Sequence, residues 1–218
     1  MSLTERINAL LPQTQCTRCG YPDCRSYAEA IATQEVAINR CPPGGDEGIR
    51  RLSALTGQPV LALDAEHGQE GPRHVAVIDE AWCIGCTLCL PVCPTDAIFG
   101  SNKLMHSVIE KHCTGCELCI PVCPVDCISL VNVTALETGW NAWSPAQAEA
   151  AQSRYAFHQI KQISETRAQA ERLEKKAEAA LADVDAHSKH TDSTTLDSKR
   201  AVIEAALARA RARRSAAD

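Results

Sequence analysis

The apolar positions of this chain change period twice. Near the start, Ile7, Leu10 and Leu11 fit one face of a short helix that Pro12 ends, and Tyr27, Ala28, Ile31 and Ala32 predict a second helix after Cys24. A third helix is expected from about Asp46 to Leu55, between the Pro42-Pro43-Gly44-Gly45 break and Gly57-Gln58-Pro59. Strand-like runs then appear at Val75 to Asp79, Ala97 to Phe99, Ser107 to Glu110 and Ile128 to Val131. They form an internal repeat over residues 74–133, and each unit reads as a strand, a cysteine-rich loop, a short helix after the proline and a returning strand. Helical spacing returns at Phe157, Ile160, Ile163, Ala170, Leu173, Ala177, Leu181 and Val184, lapses over Ser188 to Thr195, and resumes at Leu196, Ile203 and Leu207. A helical hairpin or two long helices is the simplest reading of that tail, with partial disorder as the alternative where large apolar residues are so few.

The expected fold class is α+β. Its parts are a four-cysteine helical domain at 1–58, a linker at 59–73, a metal-binding repeat domain at 74–135 and a charged, alanine-rich helical tail at 145–218.

Composition sharpens this picture. Of 218 residues 45% are hydrophobic but only 4% are aromatic, so large side-chain cores are not available and something else must help to hold the front half together. Thirteen cysteines are the obvious candidates. Met1 to Thr17 lacks the basic start and continuous apolar run of a signal peptide, so the thiols are expected to be reduced and free for metal rather than paired in disulfides. No window approaches the roughly 18 to 20 apolar residues of a spanning helix, so no direct membrane span is expected. Residues 1–144 carry 9 Lys and Arg against 16 Asp and Glu, whereas residues 145–218 carry 13 against 11. An acidic front half is steered toward basic faces of redox partners and away from nucleic acid.

Twelve cysteines fall into three sets of four. Cys83-Ile-Gly-Cys86-Thr-Leu-Cys89-Leu-Pro-Val-Cys93-Pro94 and Cys113-Thr-Gly-Cys116-Glu-Leu-Cys119-Ile-Pro-Val-Cys123-Pro124 both match the bacterial ferredoxin spacing, a run for which the general rules of iron–sulfur ligation give the fourth cysteine to the other cluster. The expected ligand sets are therefore Cys83, Cys86, Cys89 and Cys123 for one [4Fe–4S] cluster, and Cys93, Cys113, Cys116 and Cys119 for the other. Glycine at the second spacer position is expected to let the backbone approach sulfur closely. Zinc is the rival, but it takes its ligands as two pairs, whereas each run here offers three close cysteines and a distant fourth. The front set, Cys16, Cys19, Cys24 and Cys41, suits a third cubane, although its spacing alone leaves zinc open.

The stretch Asn8-Ala-Leu-Leu-Pro-Gln-Thr-Gln-Cys16-Thr-Arg-Cys19-Gly-Tyr-Pro-Asp-Cys24, the Asn39-Arg-Cys41-Pro-Pro-Gly-Gly45 segment and the repeat ending Cys123-Pro-Val-Asp-Cys127-Ile128 resemble the B subunits of Rnf-type ion-translocating electron-transport complexes, over about residues 3 to 135. The resemblance implies a ferredoxin-like 2x[4Fe–4S] domain in the repeat, a [4Fe–4S] cluster on the front set and so three clusters in all. It also implies a redox component rather than an independent enzyme, with donor and acceptor proteins and a membrane electron-transport complex as partners, and a cytoplasmic location at the face of the inner membrane. The family carries a hydrophobic membrane segment ahead of the first cysteine domain. This chain is expected as a form without it, and its tail after Trp143 lies outside the shared core.

Other residues invite weighing. Cys127, the thirteenth cysteine, reads better as a small packing residue than as a spare ligand or redox-sensitive thiol. His106 and His112 read as packing or exposed histidines, Trp82 as an aromatic near Cys83 that packs or shields, and Trp140 and Trp143 as a hinge or a docking anchor. Asp96 and Asp126 read as turn or cap residues. Arg209, Arg211, Arg213 and Arg214 complement a helix C-terminus rather than bind nucleic acid. No nucleotide loop, flavin fingerprint or catalytic triad is present, and no catalytic residue is assigned. The expected activity is relay of low-potential electrons; the rival is a cluster-stabilised interaction or redox-sensing protein without electron relay.

Overall fold

The computed structural model describes residues 1–184, 188–189 and 192–215. The chain divides into two compact units, Met1–His158 and Gln159–Asp218.

The first unit begins with three helices, α1 Leu3–Ala9, α2 Cys24–Ala32 and α3 Gly45–Thr56. Ser2 and Glu5 form a capping box at the start of α1, and Asp23 caps α2 through the Ser26 amide. Gly57, in a left-handed conformation, ends α3. The apolar faces meet in a core of Ile7, Leu11, Tyr27, Ile31, Ile38, Ile49 and Leu52, none more than 2% exposed. Tyr27 also serves as a polar staple, its hydroxyl donating to the Ala37 carbonyl and accepting from the Arg40 amide, both at 3.0 Å. Residues 59–73 run back over these helices. Asn39 Nδ2 donates to the Ala62 carbonyl, and the Glu70 carboxylate accepts from the Asp46 amide and the Thr138 hydroxyl.

The repeat supplies four strands, β1 His74–Ile78, β2 Ile98–Phe99, β3 Ser107–Val108 and β4 Ile128–Asn132, and one short helix, α4 Cys89–Val92. The pairing differs from the local expectation of two hairpins each closed within its own unit. β1 pairs antiparallel with β4, from His74 opposite Asn132 to Ile78 opposite Ile128, and β2 pairs with β3. The first strand of one unit thus closes on the last strand of the other, which wraps both loops into one body. The expected helix after the proline is also displaced: α4 precedes Pro94, and Cys93 follows it in extended backbone.

A turn at Gly139–Ala142 links the repeat to α5, Pro145–Ala182. Trp140 is 4% exposed, and its indole N–H donates to the Leu10 carbonyl at 2.9 Å, beneath the Arg51 guanidinium. It joins the front helices to the chain that leaves the repeat. The first turns of α5 stay in this unit. Arg154 donates to the carbonyls of Thr95 and Asp96, the His158 ring meets the Asp96 carboxylate at 2.9 Å, and the Tyr155 hydroxyl donates to Asp23.

The second unit contains the rest of α5 and α6, Ser193–Ser215. Glu174, nearly buried, accepts from Arg211 and Arg214, and Arg211 also reaches Glu178. Part of the basic end therefore pairs across a helical hairpin. α5 ends at Ala182 and α6 begins at Ser193, inside the interruption expected at Ser188 to Thr195, of which residues 190–191 lie outside the described residues.

Candidate metal centres

Three elements bring the front cysteines together. Cys16 and Cys19 sit on the loop after α1, Cys24 opens α2, and Cys41 precedes the turn into α3. Cys19 and Cys24 belong to the apolar core, and Cys41 packs against it. The loop visits the left-handed region at Gln13, Gln15 and Thr17, alternate residues, which L-amino acids adopt only when held there. A chain of buried amides holds it. Gln13 Nε2 donates to Asn8 Oδ1, Gln15 Nε2 donates to Gln13 Oε1, and Gln15 Oε1 accepts from the Cys24 amide at 2.8 Å. These glutamines look like ordinary loop polarity in the sequence, and only their burial marks them. Burial pushes the Cys24 and Cys41 thiols up, and the neighbouring cysteine sulfurs add to the shift.

In the repeat the cysteines sort across the two runs. Cys93, Cys113, Cys116 and Cys119 line one cavity together with Ala76 and Ala97. Cys83, Cys86, Cys89 and Cys123 line another, together with His106 and Cys127. Each cavity thus draws three thiols from one run and the fourth from the other. Backbone amides point at the sulfurs: Ala76 at Cys113 (3.3 Å), Ala97 at Cys93 (3.2 Å) and His106 at Cys83 (3.4 Å).

The repeat extends to backbone detail. Gly85 and Gly115 both have positive φ, as do Thr87 and Glu117, and Asp96 and Asp126. A Cβ on Gly85 would lie 2.5 Å from the Leu104 backbone, and one on Gly115 would overlap the His74 carbonyl. The spacer glycines are therefore required by the left-handed turn and by a neighbouring strand or loop pressed against it.

Burial first, with adjacent thiols adding to it, pushes Cys89 up to about 11 and both Cys116 and Cys119 up to about 12. Burial works against Cys123, yet the amides of Val125, Cys127 and Asp126 hold it below the ordinary thiol value. Cys127, 3.5 Å from the Cys123 sulfur, is pushed up to about 12 by burial and by that neighbour. Raised thiols are protonated near neutral pH, so metal uptake at these sets displaces protons.

Among the described residues no group of three or more His, Cys, Asp or Glu side chains converges closely enough to hold a single metal ion. The thiols ring spaces instead. The donor chemistry fits a [4Fe–4S] group: sulfur-only sets, every thiol buried or half-buried, with backbone N–H groups directed at sulfur in the repeat.

The front set lies beside the Cys113 to Cys119 loop. Thr114 Oγ1 donates to the Thr14 carbonyl at 3.0 Å in a buried contact, and Arg18 pairs with Glu117. The other expectations fall out differently. Trp82 is 69% exposed, whereas His106 is 1% exposed with its ring against Cys83. Asp96 and Asp126 occupy left-handed turns after the fourth cysteines rather than helix caps.

Two family models match the chain, "4Fe-4S dicluster domain" over residues 76–130 and "Putative Fe-S cluster" over residues 11–43. No solved structure matches. Among the relatives, the B subunit of the ion-translocating oxidoreductase complex of Azoarcus sp. (strain BH72) is 58% identical over 108 residues, covering 50% of this chain and 59% of that protein. The protein of the same name from Thiobacillus denitrificans is 58% identical over 107 residues, 49% of this chain and 57% of its own length. The chain thus spans under two thirds of the length of these two relatives. The Alkalilimnicola ehrlichii protein, again of that name, is 51% identical over 156 residues, covering 71% of this chain and 83% of that protein. With this coverage, and with both cysteine regions matched to iron–sulfur families, the chain belongs to the family of B subunits of ion-translocating oxidoreductase complexes.

Proposed function

We propose that this chain is an electron carrier with three [4Fe–4S] clusters, held by Cys16, Cys19, Cys24 and Cys41, by Cys83, Cys86, Cys89 and Cys123, and by Cys93, Cys113, Cys116 and Cys119. Bound clusters would supply reversible one-electron chemistry at low potential. The protein's part is to bury the thiols, aim amides at their sulfurs and fix the sets relative to one another.

The observation that carries the reading is the sorting of the eight repeat cysteines into two cavities, each with three thiols from one run and one from the other. That division is what the ferredoxin spacing requires and what two paired zinc sites would not produce. The Thr114 to Thr14 hydrogen bond supports an order in which the Cys93, Cys113, Cys116 and Cys119 set lies between the other two. The relatives' names support a place in an ion-translocating oxidoreductase complex, and the location proposed with it is the cytoplasmic face of its membrane. The partners are then donor and acceptor redox proteins. Among the described residues no helix is long and apolar enough to cross a membrane.

Metal analysis of anaerobically purified full chain tests this reading. The expected content is about twelve iron and twelve acid-labile sulfide per chain. About eight of each, with one zinc, would confine clusters to the repeat and give the front set to zinc. Zinc alone would end the electron-carrier proposal.

A further inference from the structure

The two halves of the repeat share the left-handed turns around their cysteines but not what surrounds their sulfurs. An offset of 30 residues relates Cys83 to Cys113, Leu104 to His74, His106 to Ala76 and Cys127 to Ala97. The equivalences hold in three dimensions. The His106 amide donates to Cys83 where the Ala76 amide donates to Cys113, and Gly85 abuts Leu104 where Gly115 abuts His74. At the Ala76 position the side chain is a methyl group. At the equivalent place in the other half stands a buried imidazole, 1% exposed, with Nδ1 3.4 Å from the Cys83 sulfur.

Among the described residues this ring has no competing partner. Its Nε2 is buried without a hydrogen bond. Its far side is closed by Gly100, where a Cβ would overlap the ring atoms. The imidazole is therefore confined between Gly100 and Cys83, and its side chain's polar contact is the ligand sulfur. Packing alone would be served by an apolar residue of similar volume without leaving a buried ring nitrogen unpaired.

We propose that His106 is a positioning residue for the Cys83, Cys86, Cys89 and Cys123 set, donating its Nδ1 proton to the Cys83 sulfur and so raising the reduction potential of that site above its pseudo-symmetric twin. Hydrogen bonds to ligand sulfur stabilise the more negative, reduced state, and hydrogen bonding to sulfur is one of the protein's recognised levers on potential. The twin, at Cys93, Cys113, Cys116 and Cys119, receives backbone donors but has alanine at both related side-chain positions. One fold thus holds two sets tuned apart, which biases an electron toward the Cys83 side. The inference rests on the electron-carrier reading.

The test is a redox titration of the full, iron-loaded chain followed by low-temperature EPR, with iron and sulfide measured on every sample. In His106→Leu the higher of the two repeat potentials falls toward the lower, which stays where it was, and iron content is unchanged. His106→Gln, whose amide can donate, recovers part of the shift. Should leucine cost the site its iron, Gly100→Ala, whose Cβ overlaps the ring where it stands and so turns it out of its place beside Cys83, carries the same prediction of a lowered potential at one site only. Full iron with both potentials unmoved in His106→Leu and Gly100→Ala would overturn the inference and leave the carrier reading intact, as would movement of the lower potential instead. A wild-type chain without iron would overturn both.

Discussion

The front domain and the repeat both gather cysteines, but they fold for different reasons. In the front domain the buried residues are those of an ordinary helical core, Ile7, Leu11, Tyr27, Ile31, Ile38, Ile49 and Leu52, with Cys19 and Cys24 added at its edge. In the repeat, Cys89, Cys93 and Cys119 are at once candidate ligands and core, and the other buried core residues are alanine and isoleucine, mostly on strands of two to five residues. Two such short ladders are too little to stabilise a domain without help. On the proposed reading, one region would use metal to finish a fold and the other would use metal to make one.

Metal removal should separate them, with the largest effect. Chelation of the reduced protein is expected to abolish hydrogen-exchange protection in β1 to β4 while α1 to α3 keep theirs, as read by exchange mass spectrometry. Equal loss in both regions would break the comparison. Next comes the residue that joins them. Trp140→Ala removes a nearly fully buried indole and its bond to Leu10, and should cost about 3–5 kcal/mol in denaturant unfolding of the loaded protein. A cost under about 1 kcal/mol, the scale of a surface change, would mean that the two regions hold together without it.

Gly115→Ala sharpens the account of the repeat. The left-handed conformation costs an alanine about 1–2 kcal/mol, and its Cβ must also displace the His74 carbonyl of β1. Iron bound at the Cys93, Cys113, Cys116 and Cys119 set should fall while the front set keeps its own, as followed by iron content and the EPR of each site. The smallest effect belongs to the front core. Tyr27→Phe leaves the ring in place but unpairs the Ala37 carbonyl and the Arg40 amide, a loss of about 1–3 kcal/mol with unchanged iron content.

Much of this was legible in the sequence, and the reasons are local. Pro12 and the Pro42 to Gly45 break bound the front helices, and cysteine spacing separates the three sets before any coordinates are seen. The closure of β1 on β4 was not legible, because each unit carries a complete local pattern and only the pseudo-symmetric assembly exchanges partners. Nor was the docking of α5. Arg154, Tyr155 and His158 look like a solvated helix face, yet they grip the turn after Cys93 and the cap before Cys24. The place of His106 was hidden for a similar reason: a histidine in a strand-like stretch gives no sign of its burial, and its contact lies 23 residues away at Cys83.

The central claim is that three sulfur sets hold three redox-active cubanes in one body. Low-temperature EPR of the dithionite-reduced full chain, integrated against its protein concentration, tests it most directly. The account predicts about three reduced cubanes per chain, with magnetic interaction broadening at least two of them. A spectrum that integrates to fewer than about two cubanes, from protein whose sulfide and iron are complete, would contradict it.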